Sequence, residues 1–390
     1  MSASQRNQDS ELAALLAPDI LVMLDESPGD VAAETDELHP KSLADVAEVM
    51  PRDRVAEFLR ALPPARAADV LEYMDDELRV ELLETMSSEQ AAALISEMTP
   101  DDRADVLEDL EEERADEILH DLPDAARLET ERLLQYEGDT AGGLMTTEFV
   151  SVEQTLSVEE ALSVVRAAAR TGRKEAMHAI YVTDERGVLV GVMSLRDLLA
   201  AAEGVAVEEV MWTEVVTVPA TTDRAEVARV ISEYDLVAVP VLDAFDRVIG
   251  VITVDDVIDV IVEESTEDAQ KAGAVQPLEE PYFTTGFATM ARKRVGWLVI
   301  LFIGEMFTGT AMRAYEQTMA SAIALTLFIP LIISSGGNSG GQSATLITRA
   351  LAVGDVEISD VMRIFFRELG QGLVLGACLG AIGFVRALMW

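Results

Sequence analysis

Residues 323–351 read IALTLFIPLIISSGGNSGGQSATLITRAL, an apolar run that meets Pro330 and then gives way to glycine and small polar residues. A bilayer offers backbone amides no partner except the protein, so a helix broken at that depth must lie against protein or a water-filled path. The expectation is a membrane helix interrupted at Pro330 and at Gly336, Gly337 and Asn338. Carbonyls freed by such a break would present oxygen to a cation. Working outward, the apolar runs Val295–Met312, Met319–Ser335 and Gly372–Trp390 each approach the roughly 20 residues that a crossing requires. Arg292, Lys293 and Arg294 precede the first run, and Arg349, Arg363 and Arg367 lie between the second and third. The positive-inside tendency puts both flanks in the cytoplasm. Three crossings over residues 291–390 leave the C-terminus outside. Glu305 stands mid-span, where a carboxylate is costly unless it faces protein or water. Its spacing leaves a functional role and a plain interhelical hydrogen bond equally open, whereas Arg386 is placed to snorkel.

Upstream of this half the chain repeats itself twice. Between Leu43 and Pro123 the period is twelve residues: Met50, Leu62, Met74, Met86, Met98, Leu110 and Leu122 share one position. Val46, Phe58, Val70, Leu82, Leu94, Val106 and Ile118 share a second, and Ala47, Leu59, Leu71, Leu83, Ile95, Leu107 and Leu119 a third. These positions form one helical face, and Pro51, Pro63-Pro64, Ser87-Ser88, Thr99-Pro100 and Pro123 punctuate the units. A two-turn helix cannot bury such a face alone, so the units are expected to stack as an all-α superhelical solenoid over 36–138, behind a flexible tail at 1–35.

The second repeat aligns IYVTDERGVLVGVMSLRDLL (Ile180–Leu199) with VPVLDAFDRVIGVITVDDVID (Val239–Asp259). Gly191 matches Gly250, Ser194 matches Thr253 and Asp197 matches Asp256, each fifty-nine positions on. Each copy reads as strand, acidic turn, strand and helix, preceded by an amphipathic helix at Val158–Ala169 or Asp223–Tyr234. The Ser/Thr three residues before an Asp is a capping pattern, which by itself explains Ser194 and Asp197. Next comes a charged helix, Asp255–Ala272, entering a connecting segment that runs to residue 290.

The formal charge is −42, with only four lysines (Lys41, Lys174, Lys271 and Lys293), which argues against nucleic acid as a partner. A salt-adapted, halophilic acidic surface accounts for most of that charge; hard-cation binding is the other use of carboxylate oxygen. The lone Cys378 leaves no internal disulfide, and the opening MSASQRNQDSELAALLAPD has no signal-peptide pattern, so the N-terminal part is expected to stay cytoplasmic. No catalytic set emerges: His39, His120 and His178 lack metal-ligand spacing, and neither a phosphate loop nor a nucleophile elbow is present. Asp256, Asp259, Glu264, Glu267 and Asp268 lie on one helix, and like charges at such spacing oppose helix formation unless something positive offsets them. Asp101 and Asp105, four apart on a solenoid helix, could supply ligands from the facing domain. A scattered acidic interface suits Mg²⁺, which keeps most of its waters. Spacing alone favours solvated acidic faces over ligands.

Taken together, the acidic solenoid, the linker YEGDTAGGLM (Tyr136–Met145), the doubled strand–helix unit that resembles a tandem cystathionine-β-synthase-type (CBS) pair, the charged helix and PLIISSGGNSGGQSATLITRAL resemble the MgtE-type magnesium transporters. The resemblance implies a homodimeric, multi-pass Mg²⁺ channel of the cell membrane whose cytosolic domains sense Mg²⁺, with CBS domains at 139–262 and a "plug" helix at 255–290. It assigns metal ligation to Asp101, Asp105, Asp223, Asp235, Asp256, Asp259, Glu264, Glu267 and Asp268, and the pore to Pro330, Gly336, Gly337 and Asn338. It also suggests ATP at the CBS pair, through Arg196 and Asp197. Ala225 replaces a usually acidic sensor residue beside Asp223, and Gly341 replaces a second pore asparagine. The family has five transmembrane helices and this sequence reaches Trp390 after three, so the alternative is a non-conducting membrane protein that senses Mg²⁺ or an adenine nucleotide.

Overall fold

The computed structural model describes all residues except 1–2, 171–178, 203, 279–281, 283–284, 322, 353–354, 357 and 390. It divides into two compact units, Met1–Ile258 and Asp259–Trp390.

The first unit begins with α1 (Ala3–Glu26) and the single turn α2 (Val31–Glu34). From Ala13 on, the stretch expected as a flexible tail is packed: Ala13, Ala17, Ile20 and Leu24 of α1 are buried in the same core as the solenoid. Their spacing of four, three and four puts them on one helical face despite Pro18 inside the helix. Eight helices then start every twelve residues: α3 (Pro40–Val49), α4 (Arg52–Ala61), α5 (Pro64–Glu72), α6 (Asp76–Thr85), α7 (Ser88–Ile95), α8 (Pro100–Glu108), α9 (Glu112–Asp121) and α10 (Asp124–Leu133). At 8 to 10 residues they exceed the two turns expected. The three repeat positions supply the core, with Met86 and Leu119 packed at its margin. Prolines open helices here, since the first turn needs no N–H from residue N1: Pro40, Pro64 and Pro100 all sit there. Arginines tie distant units together. Arg66 donates to the carbonyls of Thr35 and Leu38, and Arg114 to those of Leu83 and Met86, at the same offsets of 31 and 28 residues.

A short helix, α11 (Ala141–Leu144), leads into two copies of one motif. The first is β1 (Val150–Glu153), α12 (Val158–Arg170), β2 (Ile180–Thr183), β3 (Leu189–Met193) and α13 (Leu195–Ala200). The second is β4 (Val218–Pro219), α14 (Arg224–Glu233), β5 (Ala238–Leu242), β6 (Val248–Thr253) and α15 (Val254–Ala272). In each sheet the first two strands are parallel and the last two antiparallel, with an irregularity at Val182/Thr183 and at Val241/Leu242. The copies cover each other's edges. Thr146, ahead of the first, exchanges two 2.9 Å backbone bonds with Val251 on β6, and Trp212, ahead of the second, pairs likewise with Val192 on β3 at 2.8 and 2.9 Å. Both approaches need glycine: a Cβ on Gly250 would lie 2.5 Å from the Met145 sulfur, and one on Gly191 2.6 Å from that of Met211.

The second unit holds the rest of α15, then α16 (Phe287–Ala314), α17 (Glu316–Ser321), α18 (Ile323–Ala352) and α19 (Val361–Leu388). Two stretches, Phe287–Ala314 and Ile358–Arg386, are long and apolar enough to cross a membrane. The run Met319–Ser335, read as a third crossing, includes residue 322, which lies outside the described residues. The anticipated break is not found: α18 is one helix of 30 residues through Pro330, Gly336, Gly337 and Asn338. Glycine costs a helix about 1 kcal/mol, less than leaving a backbone amide unpaired in hydrocarbon. Proline removes a single hydrogen bond, so one carbonyl, not a run of them, is released.

Candidate metal centre

Thr99 precedes α8, and its hydroxyl donates to Asp102 Oδ2 at 2.5 Å. Asp102 and Asp105 follow one turn apart and face the first turn of α15, which carries Asp255 and Asp256. Burial, first, and then the charges of Asp102, Glu108, Asp109 and Asp256 push the Asp105 carboxyl up to about 7. Asp105 is nonetheless exposed on one side. Asp256 is pushed up to about 6, chiefly by burial, with Asp255 and Asp102 adding to it against the Thr253 hydroxyl, which bonds Oδ2 at 2.8 Å. Burial also raises Asp102; Thr99 and Arg79 pull it down while Asp255 and Asp69 push it up. The Tyr73 phenol is raised by burial and then by Glu72, Asp255, Asp69 and Asp102.

One negative field thus joins α5, α8 and α15. It contains Asp105 and Asp256, which sequence reading singled out, and Asp69, Asp102 and Asp255, which it missed. The signal for Asp69 was present: it precedes Asp105 by three twelve-residue repeats, as Glu72 precedes Glu108. Asp101 is buried, within the field of Arg103. Burial lowers the Arg103 guanidinium, which donates to Met98 O, Ala126 O and the Thr130 hydroxyl and so ties α8 to α10.

The remaining expected ligands lie at the ends of α14 and further along α15. Asp223 caps α14, accepting the Ala225 N–H at 2.9 Å. Asp235 occupies a left-handed turn after α14, with φ of 50°. Asp259, Glu264, Glu267 and Asp268 continue along α15 in the second unit. There Lys271 supplies the offsetting charge, bonding Glu267 at 2.5 Å, and is raised by that bond and by Glu264 and Asp268. Among the described residues no three His, Cys, Asp or Glu side chains converge as a closed cage. The donor set is all oxygen, which fits Mg²⁺ held through its waters.

In the first strand–helix copy Asp197 closes a capping box: its Oδ2 accepts from Ser194 N at 3.2 Å and Oγ at 2.7 Å, and that lowers its carboxyl. Asp197 also lines an open cleft of about 650 Å³ with Met211, Trp212, Thr213 and Glu214. Arg196 beside it is exposed. His39 caps α3 through Nδ1, at 3.1 Å from Lys41 N, and His120 ends α9; His178 lies outside the described residues. Glu305, on α16, has an exposed side chain.

Family models match in chain order: the MgtE intracellular N domain over residues 38–139, CBS domains over 141–204 and 207–263, and a divalent cation transporter domain over 329–390. The crystal structure of the soluble part of a magnesium transporter matches at 31% identity and TM-score 0.60, over 66% of this chain and 99% of that one. The chain belongs to the MgtE magnesium transporter family. The MgtE magnesium transporter of Thermus thermophilus is 43% identical over 269 residues, 69% of this chain and 59% of that protein. The cytosolic domain of an Mg²⁺ channel MgtE solved with ATP is 37% identical at TM-score 0.59, over 63% of this chain and 99% of that one. The chain spans 56 to 59% of the length of the curated MgtE relatives it matches. As in MgtE generally, it is a membrane-integral protein with a cytosolic N-terminal half.

Proposed function

We propose that this protein is a homodimeric channel for Mg²⁺ that cytosolic Mg²⁺ closes. The observation that carries this reading is the negative field shared by α8 and the first turn of α15. When Mg²⁺ is scarce, Asp102, Asp105, Asp255 and Asp256 repel, and the solenoid loosens from the second CBS module. When it is plentiful, hydrated ions bridge them, with Asp101 beside them on α8; Asp259, Glu264, Glu267 and Asp268, further along α15, are further ligands in their own unit, and Asp223 and Asp235 are a weaker peripheral site for want of an acid at Ala225. Ions shift such an equilibrium only through preferential binding to the closed form. Pro330, Gly336, Gly337 and Asn338 line the path, and the membrane potential drives flow at about 4.6 kcal/mol per divalent ion per 100 mV. ATP, present in the related cytosolic domain, would bind the cleft at Arg196 and Asp197, where Trp212 gives an exposed aromatic surface.

The test is protease protection of the cytosolic half in the full chain. Mg²⁺ at millimolar levels is expected to slow cleavage in the wild type and not in Asp105→Ala. Equal protection of both would end the gating proposal. Conduction is tested separately by Mg²⁺ flux into liposomes carrying the chain.

A further inference from the structure

The helices α18 and α19 meet at two levels. Ser343 donates its hydroxyl to Glu368 Oε2 at 2.5 Å, a short, charge-assisted bond. Further along, the Phe328 ring lies over Gly383, where an added Cβ would sit 3.6 Å from Cε1. Fifteen residues separate the two levels on each helix (343 − 328 and 383 − 368), a rise of about 22 Å. Equal steps in opposite directions define a straight antiparallel hairpin with one register. Its polar end carries Glu368 beside Arg367, at the basic flank of α19 and ahead of the apolar run that starts at Gly372. Asn338, which the channel reading places in the path, is five residues from Ser343 on α18, about 7.5 Å along the axis. Around Gly336, Gly337 and Gly341 an added Cβ would meet nothing within 4 Å. Those glycines do not lock α18 in rotation, whereas the Ser343–Glu368 bond, with the Phe328–Gly383 contact, fixes the face that α18 turns to α19.

We propose that Glu368 is a positioning residue for ion passage: by accepting the Ser343 hydroxyl it fixes the rotation of α18, and with it the direction of Gly336, Gly337 and Asn338. This rests on the channel reading. Charge is secondary to acceptor geometry in this role, so Glu368→Gln keeps it and Glu368→Leu loses it. Ser343→Thr retains the hydroxyl donor, and Ser343→Ala removes it.

Two readouts separate this inference from the channel reading. The first is register. In a Cys378→Ser background, Phe328→Cys with Gly383→Cys is expected to form a disulfide in membranes under mild oxidant. Adding Glu368→Leu or Ser343→Ala should cut its yield about tenfold, as loss of one interhelical hydrogen bond implies, while Glu368→Gln and Ser343→Thr leave it within about twofold. The second is Mg²⁺ flux in liposomes without the cysteine pair, ordered the same way. A disulfide yield indifferent to Glu368→Leu overturns the proposal, as does flux lost in Glu368→Gln with cross-linking intact, which would make the charge itself an ion contact. Absence of flux in the wild type, with the cross-linking order as stated, defeats the channel reading and with it the role in ion passage, and leaves only the α18–α19 register set by Ser343 and Glu368.

Discussion

Asp197 and Asp256 hold the same place in two copies of one motif, fifty-nine residues apart. Each accepts a hydroxyl three residues earlier, from Ser194 at 2.7 Å and from Thr253 at 2.8 Å. Their carboxyls nevertheless move in opposite directions, Asp197 down and Asp256 up to about 6. The cap pulls both carboxyls down, so it does not explain the difference; burial outweighs it at Asp256. What differs is the neighbour: the solenoid brings Asp102 against the second copy, while Asp197 opens into a cleft beside Trp212. A helix cap becomes a candidate cation ligand when another domain buries it among like charges.

The largest effect expected from this difference is on ligand-linked stability. At Mg²⁺ a hundredfold above its dissociation constant, the wild type should gain about 2.7 kcal/mol, read as a rise in thermal midpoint. Asp105→Ala combined with Asp256→Ala should abolish the gain and Asp197→Ala should keep it. Loss of the gain in Asp197→Ala would erase the distinction between the copies.

Next in size is pH. Carboxyls raised on folding favour the protonated form. Their stabilisation is complete below the ordinary value of 3.8 and lost as pH climbs through about 6 for Asp256 and about 7 for Asp105. Without divalent ions the cytosolic half should therefore lose stability between pH 4 and 7, by about 2 kcal/mol once solvent screening is allowed for. Asp105→Asn with Asp256→Asn should flatten that slope. Asp197, lowered on folding, contributes stability in the opposite sense, lost on acidification. A midpoint that rises across the window would contradict the placement of these groups.

The smallest effect is that of the cap alone. Asp197→Ala should cost about 1 kcal/mol at any Mg²⁺ concentration, measured by denaturant titration with and without the ion. A cost that grew with Mg²⁺ would give Asp197 a share in metal binding.

Periodicity made much of the fold legible. The twelve-residue and fifty-nine-residue repeats located the solenoid and the paired strand–helix motifs, because stacking and alternation write themselves into residue spacing. α1 escaped notice because alanines fill two of its buried positions and Pro18 interrupts the pattern. The break foreseen in α18 did not form, since local helix-breaking preferences weigh less than amide satisfaction in lipid. At the candidate site, spacing alone favoured solvated acidic faces, and it was the resemblance to known sensors that assigned Asp105 and Asp256. Asp102 and Asp255 depend on how α8 meets α15, a tertiary fact that no spacing along one helix encodes.

The exchange of edges between the two strand–helix motifs bears on how the chain matures. The residues that finish the first sheet, Met211 and Trp212, emerge from the ribosome after that sheet's own strands, and those that finish the second, Met145 and Thr146, emerge well before it. Severing the chain at their junction would strip both halves of a border strand. Synthesis therefore completes the first sheet only once Trp212 has emerged and the second only after β6, so neither copy is whole on its own residues alone.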